Sequence, residues 1–130
     1  MFGTLPLMAI VIIAYNIIVY LTGLTMDSQI TTVTLISGAM WAITIGDLIV
    51  FFGLILLFLE LVNSTQTGAS TIVNHALSML VLLIALVEFI VLPQFGTSTF
   101  FALVMLALFD VIAGFTVTIT AARRDFTVGE

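Results

Sequence analysis

The chain has 130 residues, of which 62% are hydrophobic and only 7% are charged, and its formal net charge is −5. Soluble domains carry about 25% charged residues and a small domain leaves much of its surface exposed, so this composition excludes a protein surrounded mainly by water. The chain has no cysteine and no basic patch, which excludes disulfides and cysteine metal sites and predicts no nucleic-acid partner.

Four apolar segments are long enough to cross a membrane, which needs roughly 20 residues per helix. They run from about residue 5 to 24, 33 to 62, 72 to 92 and 99 to 122. Because the connections are short, successive helices are expected to be antiparallel neighbours. The sequence therefore predicts an all-α fold, an integral membrane four-helix bundle of two antiparallel hairpins that forms a single transmembrane domain.

The first predicted helix carries a stripe of small and polar residues. Ala9, Asn16, Tyr20 and Gly23 fall broadly on one face of this helix. Small and polar side chains let helices approach each other closely in lipid. We therefore expect Asn16 to be a helix-packing residue inside the bundle.

The second predicted helix contains two acids. Asp47 lies near its centre and Glu60 near its end, where a short polar loop leads to His75 in the third helix. Glu60 and His75 are interpreted as an interfacial polar pair. A metal or haem ligand is the less favoured interpretation of His75, because two candidate ligands are too few for a closed zinc site. No metal site is predicted, and the sequence identifies no cofactor.

The third and fourth predicted helices add Glu88, one turn before Pro93, and Asp110 near the helix centre. Small and polar residues recur at three- and four-residue steps along the fourth helix, namely Ala107, Asp110, Gly114, Thr118 and Ala121. Their spacing places them on one face and predicts helix packing there.

Acids at mid-bilayer are costly, at roughly 2.5–3.5 kcal/mol on insertion scales. Asp47 and Asp110 are interpreted first as neutral acids that form hydrogen bonds between helices. The alternative is a proton or cation relay of Asp47, Asp110 and Glu88, since ionisable groups inside membranes often mark ion pathways. Two coupled carboxyl groups would titrate as a pair.

The adjacent Arg123 and Arg124 follow the fourth helix and are the only lysine or arginine residues of the chain. Since positive residues collect on the cytoplasmic side, they are interpreted as a topology anchor that leaves both termini cytoplasmic. Small size and short loops suggest a bacterial inner (plasma) membrane.

No catalytic motif occurs in the chain, so an enzyme is not expected. The favoured function is a structural or accessory subunit of a membrane complex, or a self-assembling homo-oligomer. Its expected partners are the lipid bilayer and other membrane subunits or copies of itself. The alternative is a proton- or cation-handling transporter or channel that uses the intramembrane carboxylates.

Overall fold

A computed structural model describes the backbone of residues 5–63 and 69–129 of the chain. Between residues 69 and 129 it describes every side chain except those of residues 69–71, 118, 121–122 and 124–129. The described backbone is mostly helical. In chain order its elements are α1 (Met8–Ile17) with a π-helical turn (Ile18–Thr22), β1 (Gln29–Thr34), β2 (Met40–Thr44), α2 (Ile45–Asn63), α3 (Ala69–Val91), a 3₁₀ turn (Pro93–Phe95) and α4 (Ser98–Gly129).

Within the described residues, three helical stretches are long and apolar enough to cross a membrane, namely Ile45–Asn63, Ile72–Val91 and Ser98–Val117. The apolar helix Met8–Thr22 is shorter. At 1.5 Å per residue it extends for about 22 Å, less than the roughly 30 Å of a hydrocarbon core. The chain is therefore compatible with a membrane protein of three apolar spans, and the predicted bundle of four spans is not confirmed.

The first helix ends where Gly23 adopts a φ of 70°. This left-handed conformation is open to glycine at little cost and commonly terminates helices. The predicted helix over residues 5–24 is thus confirmed in position but begins at Met8 and ends at Thr22.

Contacts at the two ends of α1 give its direction in the bundle. The Leu7 amide, at the start of α1, donates to Glu60 near the end of α2. Tyr15, further along α1, contacts Thr97 at the start of α4. We call the end of the bundle where α2 leads to α3 the loop end, and the end where α2 begins the hairpin end.

Helices α2 and α4 run parallel and pack closely along their length. Gly46 lies against Thr99, and Gly53 lies against Leu103 and Leu106. The missing side chains of these glycines let the two helices approach, as small residues do in membrane bundles.

A cluster of aromatic side chains fills the core at the hairpin end. The rings of Tyr15, Phe95 and Phe100 are fully buried, with centroids 4.7 to 5.1 Å apart. The Tyr15 hydroxyl donates to the Gln94 carbonyl over 3.1 Å and lies 2.8 Å from the Thr97 hydroxyl. These contacts satisfy the polar end of a buried tyrosine and fix α1 to the turn between α3 and α4.

The prediction of helix over residues 33–44 is wrong, because this segment belongs to an antiparallel β-hairpin. Its register pairs Val33 with Trp41 and Thr31 with Ile43. Threonine, valine and isoleucine favour strands over helices because their branched Cβ atoms restrict χ1. The turn contains Gly38 at a φ of 91°, which L-residues rarely adopt.

Most of the surface of the β-hairpin is uncovered. All of β1 is exposed, and Ile36 in the turn is fully exposed. The ring of Trp41 meets Phe51 of α2 edge-on, with centroids 6.3 Å apart. Trp41 pairs with Val33 close to the turn, so this contact holds the turn half of β2 against α2, while β1 and the tip of the turn remain exposed.

Replacing Gly53 should weaken the packing of α2 against α4. A Cβ atom there would lie 2.9 Å from Leu106 Cδ1 and 3.3 Å from Leu103 Cδ2. Overpacking of this kind costs about 1–3 kcal/mol, so Gly53→Val should lower the thermal unfolding midpoint in detergent. The neighbouring exposed Leu54→Val is the control, and equal midpoints for the two variants would contradict this packing.

Candidate functional site

Five polar side chains are buried together near the loop end of the bundle. We call Glu60, Asn74, His75, Ser78 and Asp110 the polar cluster. The exposed fractions of the two acids are only 3% for Glu60 and 2% for Asp110. Acids are almost never buried so completely unless they are paired, so this cluster is the candidate functional site.

Three helices supply the polar cluster. Glu60 comes from the last turns of α2 and Asp110 from α4, while α3 contributes Asn74, His75 and Ser78. Residues four apart lie on the same face of a helix, which brings Asn74 and Ser78 together. The Ser78 hydroxyl donates to the backbone carbonyl of Asn74, one turn earlier, over 3.0 Å.

The Glu60 carboxyl lies at the beginning of α1. Its Oε2 accepts a hydrogen bond from the Leu7 amide over 3.2 Å, and the side chain of Asn74 lies beside it as a second hydrogen-bonding group. Its other oxygen, Oε1, is buried and has no partner. One oxygen of the Glu60 carboxyl group is therefore hydrogen-bonded and the other is not.

The Asp110 carboxyl is arranged in a similar way. The Ser78 side chain is its hydrogen-bonding neighbour, whereas Oδ2 is buried without a partner. The carboxyl groups of Asp110 and Glu60 are close enough to interact electrostatically. Two like charges repel strongly at this depth, because the surroundings have a low dielectric constant.

His75 packs its ring against α4. Its centroid lies 4.6 Å from that of Phe115. A Cβ atom on Gly114 would lie 3.0 Å from His75 Cε1, so the glycine leaves the space that the imidazole occupies. The expected packing role of Gly114 is thus served by contact with a histidine ring.

No lysine exists in the chain, and the arginines are distant in sequence from the polar cluster. Arg123 follows Asp110 by more than three turns of α4, which is roughly 20 Å along the helix axis. The ordinary means of neutralising a buried carboxylate, an ion pair with lysine or arginine, is therefore missing at the depth of Asp110 along α4.

Asp47 does not belong to the polar cluster, and its expected place at the centre of the second helix is wrong. It lies in the first turn of α2, at the hairpin end. Its Oδ2 accepts from the Thr44 amide over 3.1 Å, and its own amide donates to Thr44 Oγ1 over 3.1 Å. This reciprocal pair is a capping box with aspartate in place of glutamate, so Asp47 starts a helix and is not buried in the middle of one.

Glu88 also lies away from the polar cluster. It is half-buried and its Oε1 is 3.5 Å from Asn16 Nδ2, which donates more closely to the Ile12 carbonyl at 2.9 Å. Glu88 follows Ser78 by roughly 15 Å along α3. The predicted relay of Asp47, Asp110 and Glu88 is therefore not assembled.

The remaining expected site residues are placed as follows. Ala107 is buried beside Asp110 on α4, and Asn16 is half-buried between α1 and α3. Arg123 is exposed. The side chains of Thr118 and Arg124 lie outside the described residues.

Sequence reasoning missed Asn74 and underrated Glu60. The position of Glu60 near the end of an apolar segment predicts an interfacial side chain, whereas the structure buries it. The sequence does contain a pattern that points to the site. Asn74 and Ser78 are spaced four residues apart, so they form a polar pair on one face of an otherwise apolar helix, opposite the polar face of α4. Such a pair indicates partners for buried acids.

Within the described residues, no three histidine, aspartate or glutamate side chains are grouped so that they could hold a metal ion. The chain matches no known protein-family model, no curated protein and no solved structure. Its function must therefore be argued from the polar cluster and the surfaces of the bundle.

Removing the capping carboxyl should destabilise the start of α2. Asp47→Ala leaves the Thr44 amide without its acceptor, and the loss of a cap costs about 1 kcal/mol. Asp47→Asn keeps a side-chain oxygen in the same place and should be nearly neutral. Thermal unfolding in detergent, followed by circular dichroism, compares the two variants, and identical losses would contradict the capping role.

Proposed function

We propose that the protein handles protons in a membrane, with Glu60 and Asp110 as the carboxyl pair that takes them up and releases them. The observation that carries this proposal is their joint burial, with one unpartnered oxygen on each. Buried polar atoms without partners cost free energy. Ionisable groups inside membranes are retained mainly where they serve a pathway or a relay.

A proton suits this site better than a metal cation does. Calcium takes six to eight oxygen ligands, whereas the described residues offer no group of three acidic or histidine ligands. A proton needs only one oxygen and a neighbouring acceptor. Two adjacent carboxyl groups provide both and share protons as a coupled pair.

The surroundings of the pair favour a relay or carrier over an open pore. Toward the hairpin end, α1 and α4 fill the bundle with apolar side chains, including Val11, Leu103 and Phe100, all of them fully buried. The polar cluster is closer to the loop end. Proton exchange is therefore expected from the loop end, and transfer to the other side requires rearrangement or a neighbouring subunit.

A second candidate function, assembly into a larger complex, is favoured by the β-hairpin. No residue from 28 to 46 is charged, and β1 is exposed along its whole length. Uncharged edge strands readily pair with other strands, and an isolated two-stranded hairpin is at best marginally stable in water. In this role the protein is an accessory subunit or homo-oligomer, in a bacterial inner membrane with both termini cytoplasmic.

Neutralising the carboxyl pair should abolish proton movement. In proteoliposomes with a pH gradient, Asp110→Asn and Glu60→Gln should each reduce protein-dependent proton flux at least tenfold, because neither amide can take up and release a proton. Asp47→Asn is the matched control and should keep the flux of the unmodified protein. Unchanged flux in both cluster variants would eliminate the proposed function.

Charging the free edge of the β-hairpin should weaken assembly. Thr32→Lys places a charge in the exposed strand β1, where it opposes pairing with another strand. Native mass spectrometry from lipid nanodiscs should show a loss of higher-order species or bound partners for this variant. Thr25→Lys, in the preceding exposed loop, is the control; a monomeric unmodified protein without partners would remove the basis for the assembly role.

A further inference from the structure

We propose that the carboxyl pair holds one proton, that this proton is on Asp110, and that Glu60 is a resident anion held by the start of α1. This inference rests on the proposed function and deepens it, because it assigns different roles to the two acids. Asp110 becomes the group that carries the exchangeable proton, and Glu60 the group that positions and attracts it.

The start of α1 supplies what an ionised Glu60 needs. The first amides of a helix point outward without partners and carry a partial positive charge. Leu7 is the N-cap residue of α1, its own side chain forms no capping hydrogen bond, and the first turn of α1 contains no acid. Glu60 reaches across from α2 and accepts the Leu7 amide.

An amide proton can only be donated, so the oxygen that receives it must act as an acceptor. Both oxygens of an ionised carboxyl group are acceptors, and bonds to a charged acceptor are stronger than bonds to a neutral one. Glu60 therefore caps α1 from another helix, and the negative charge is favoured at this position. The Leu7 amide and the neighbouring amide of Asn74 offset part of the cost of burying this charge.

The surroundings of Asp110 favour its neutral, protonated form. A serine hydroxyl has one proton, and Ser78 donates it to the Asn74 carbonyl. The remaining capacity of Ser78 is to accept. While Ser78 donates to the backbone carbonyl of Asn74, its hydrogen bond with Asp110 uses the proton of a neutral Asp110, whereas an ionised Asp110 competes with that carbonyl for the single Ser78 proton.

The other groups around the pair do not change the assignment of the negative charge to Glu60 and of the proton to Asp110. Toward Glu60, α1 presents the Leu7 backbone, and α3 presents Asn74 with His75 as its titratable neighbour. The charge of Glu60 opposes ionisation of Asp110 across the interface between α2 and α4. The unpartnered oxygens Glu60 Oε1 and Asp110 Oδ2 remain open to a second proton or to water.

Infrared spectroscopy with isotope labels tests this assignment on the unmodified protein. A protonated carboxyl group in apolar surroundings gives a C=O band that is separate from the carboxylate bands. In reconstituted protein at neutral pH, carboxyl-¹³C aspartate should shift that band, and carboxyl-¹³C glutamate should leave it in place. A shift with labelled glutamate alone, or no protonated-carboxyl band at all, would overturn the inference.

Substitutions provide a second measurement that identifies the residue. The band should disappear in Asp110→Asn and persist in Asp47→Asn and in Glu60→Gln. Persistence of the aspartate band in Asp110→Asn would overturn the assignment to Asp110. If the band behaves as expected but the protein moves no protons, the assignment of the proton to Asp110 is supported and the proposed function is contradicted. If the protein moves protons but shows no such band, the proposed function is supported and the assignment to Asp110 is contradicted.

Discussion

The burial of two carboxyl groups beside each other is the constraint on which the rest of this structure depends. Glu60 and Asp110 come from parallel helices and lie in an interior that lacks lysine altogether. Charge alone would drive the two groups apart. Their juxtaposition is tolerable because the Leu7 amide at the start of α1 donates to Glu60, and because α3 places Asn74 beside Glu60 and Ser78 beside Asp110. The glycines of α2 and α4 contribute by letting the helices approach closely enough to enclose the pair.

The two ends of the bundle consequently have different characters. At the loop end, hydrogen bonding is incomplete and two buried oxygens have no partner. At the hairpin end, Tyr15 satisfies its hydroxyl on the turn before α4, and aromatic rings fill the core. A satisfied, close-packed region resists change, whereas an unsatisfied polar group gains from a new partner. This asymmetry suits a protein that accepts a small cargo at one end and keeps the other end closed.

The sequence predicted much of the fold, but only part of the site. Hydropathy located the apolar helices because spanning segments must be long and apolar. It failed at residues 33–44, where an apolar run rich in threonine, valine and isoleucine forms strands, and hydropathy alone does not distinguish a strand from a helix. Because hydropathy predicts helix for these residues, Asp47 is expected at the centre of a helix and in a relay, whereas it lies in the first turn of α2. Asp110 is buried on the small and polar face of α4 that its spacing predicts. Its partnership with Glu60 depends on which helices lie side by side, and spacing along one helix does not reveal that.

Glu60 and Asp110 lie beside each other inside one bundle, away from Asp47 at the start of α2. The chain contains no cysteine, so pairs of cysteines can be introduced without interference. Short-span crosslinking in native membranes should join Glu60→Cys to Asp110→Cys within one chain and should leave Asp47→Cys and Asp110→Cys unlinked. Efficient linkage of the second pair, with none of the first, would contradict the account.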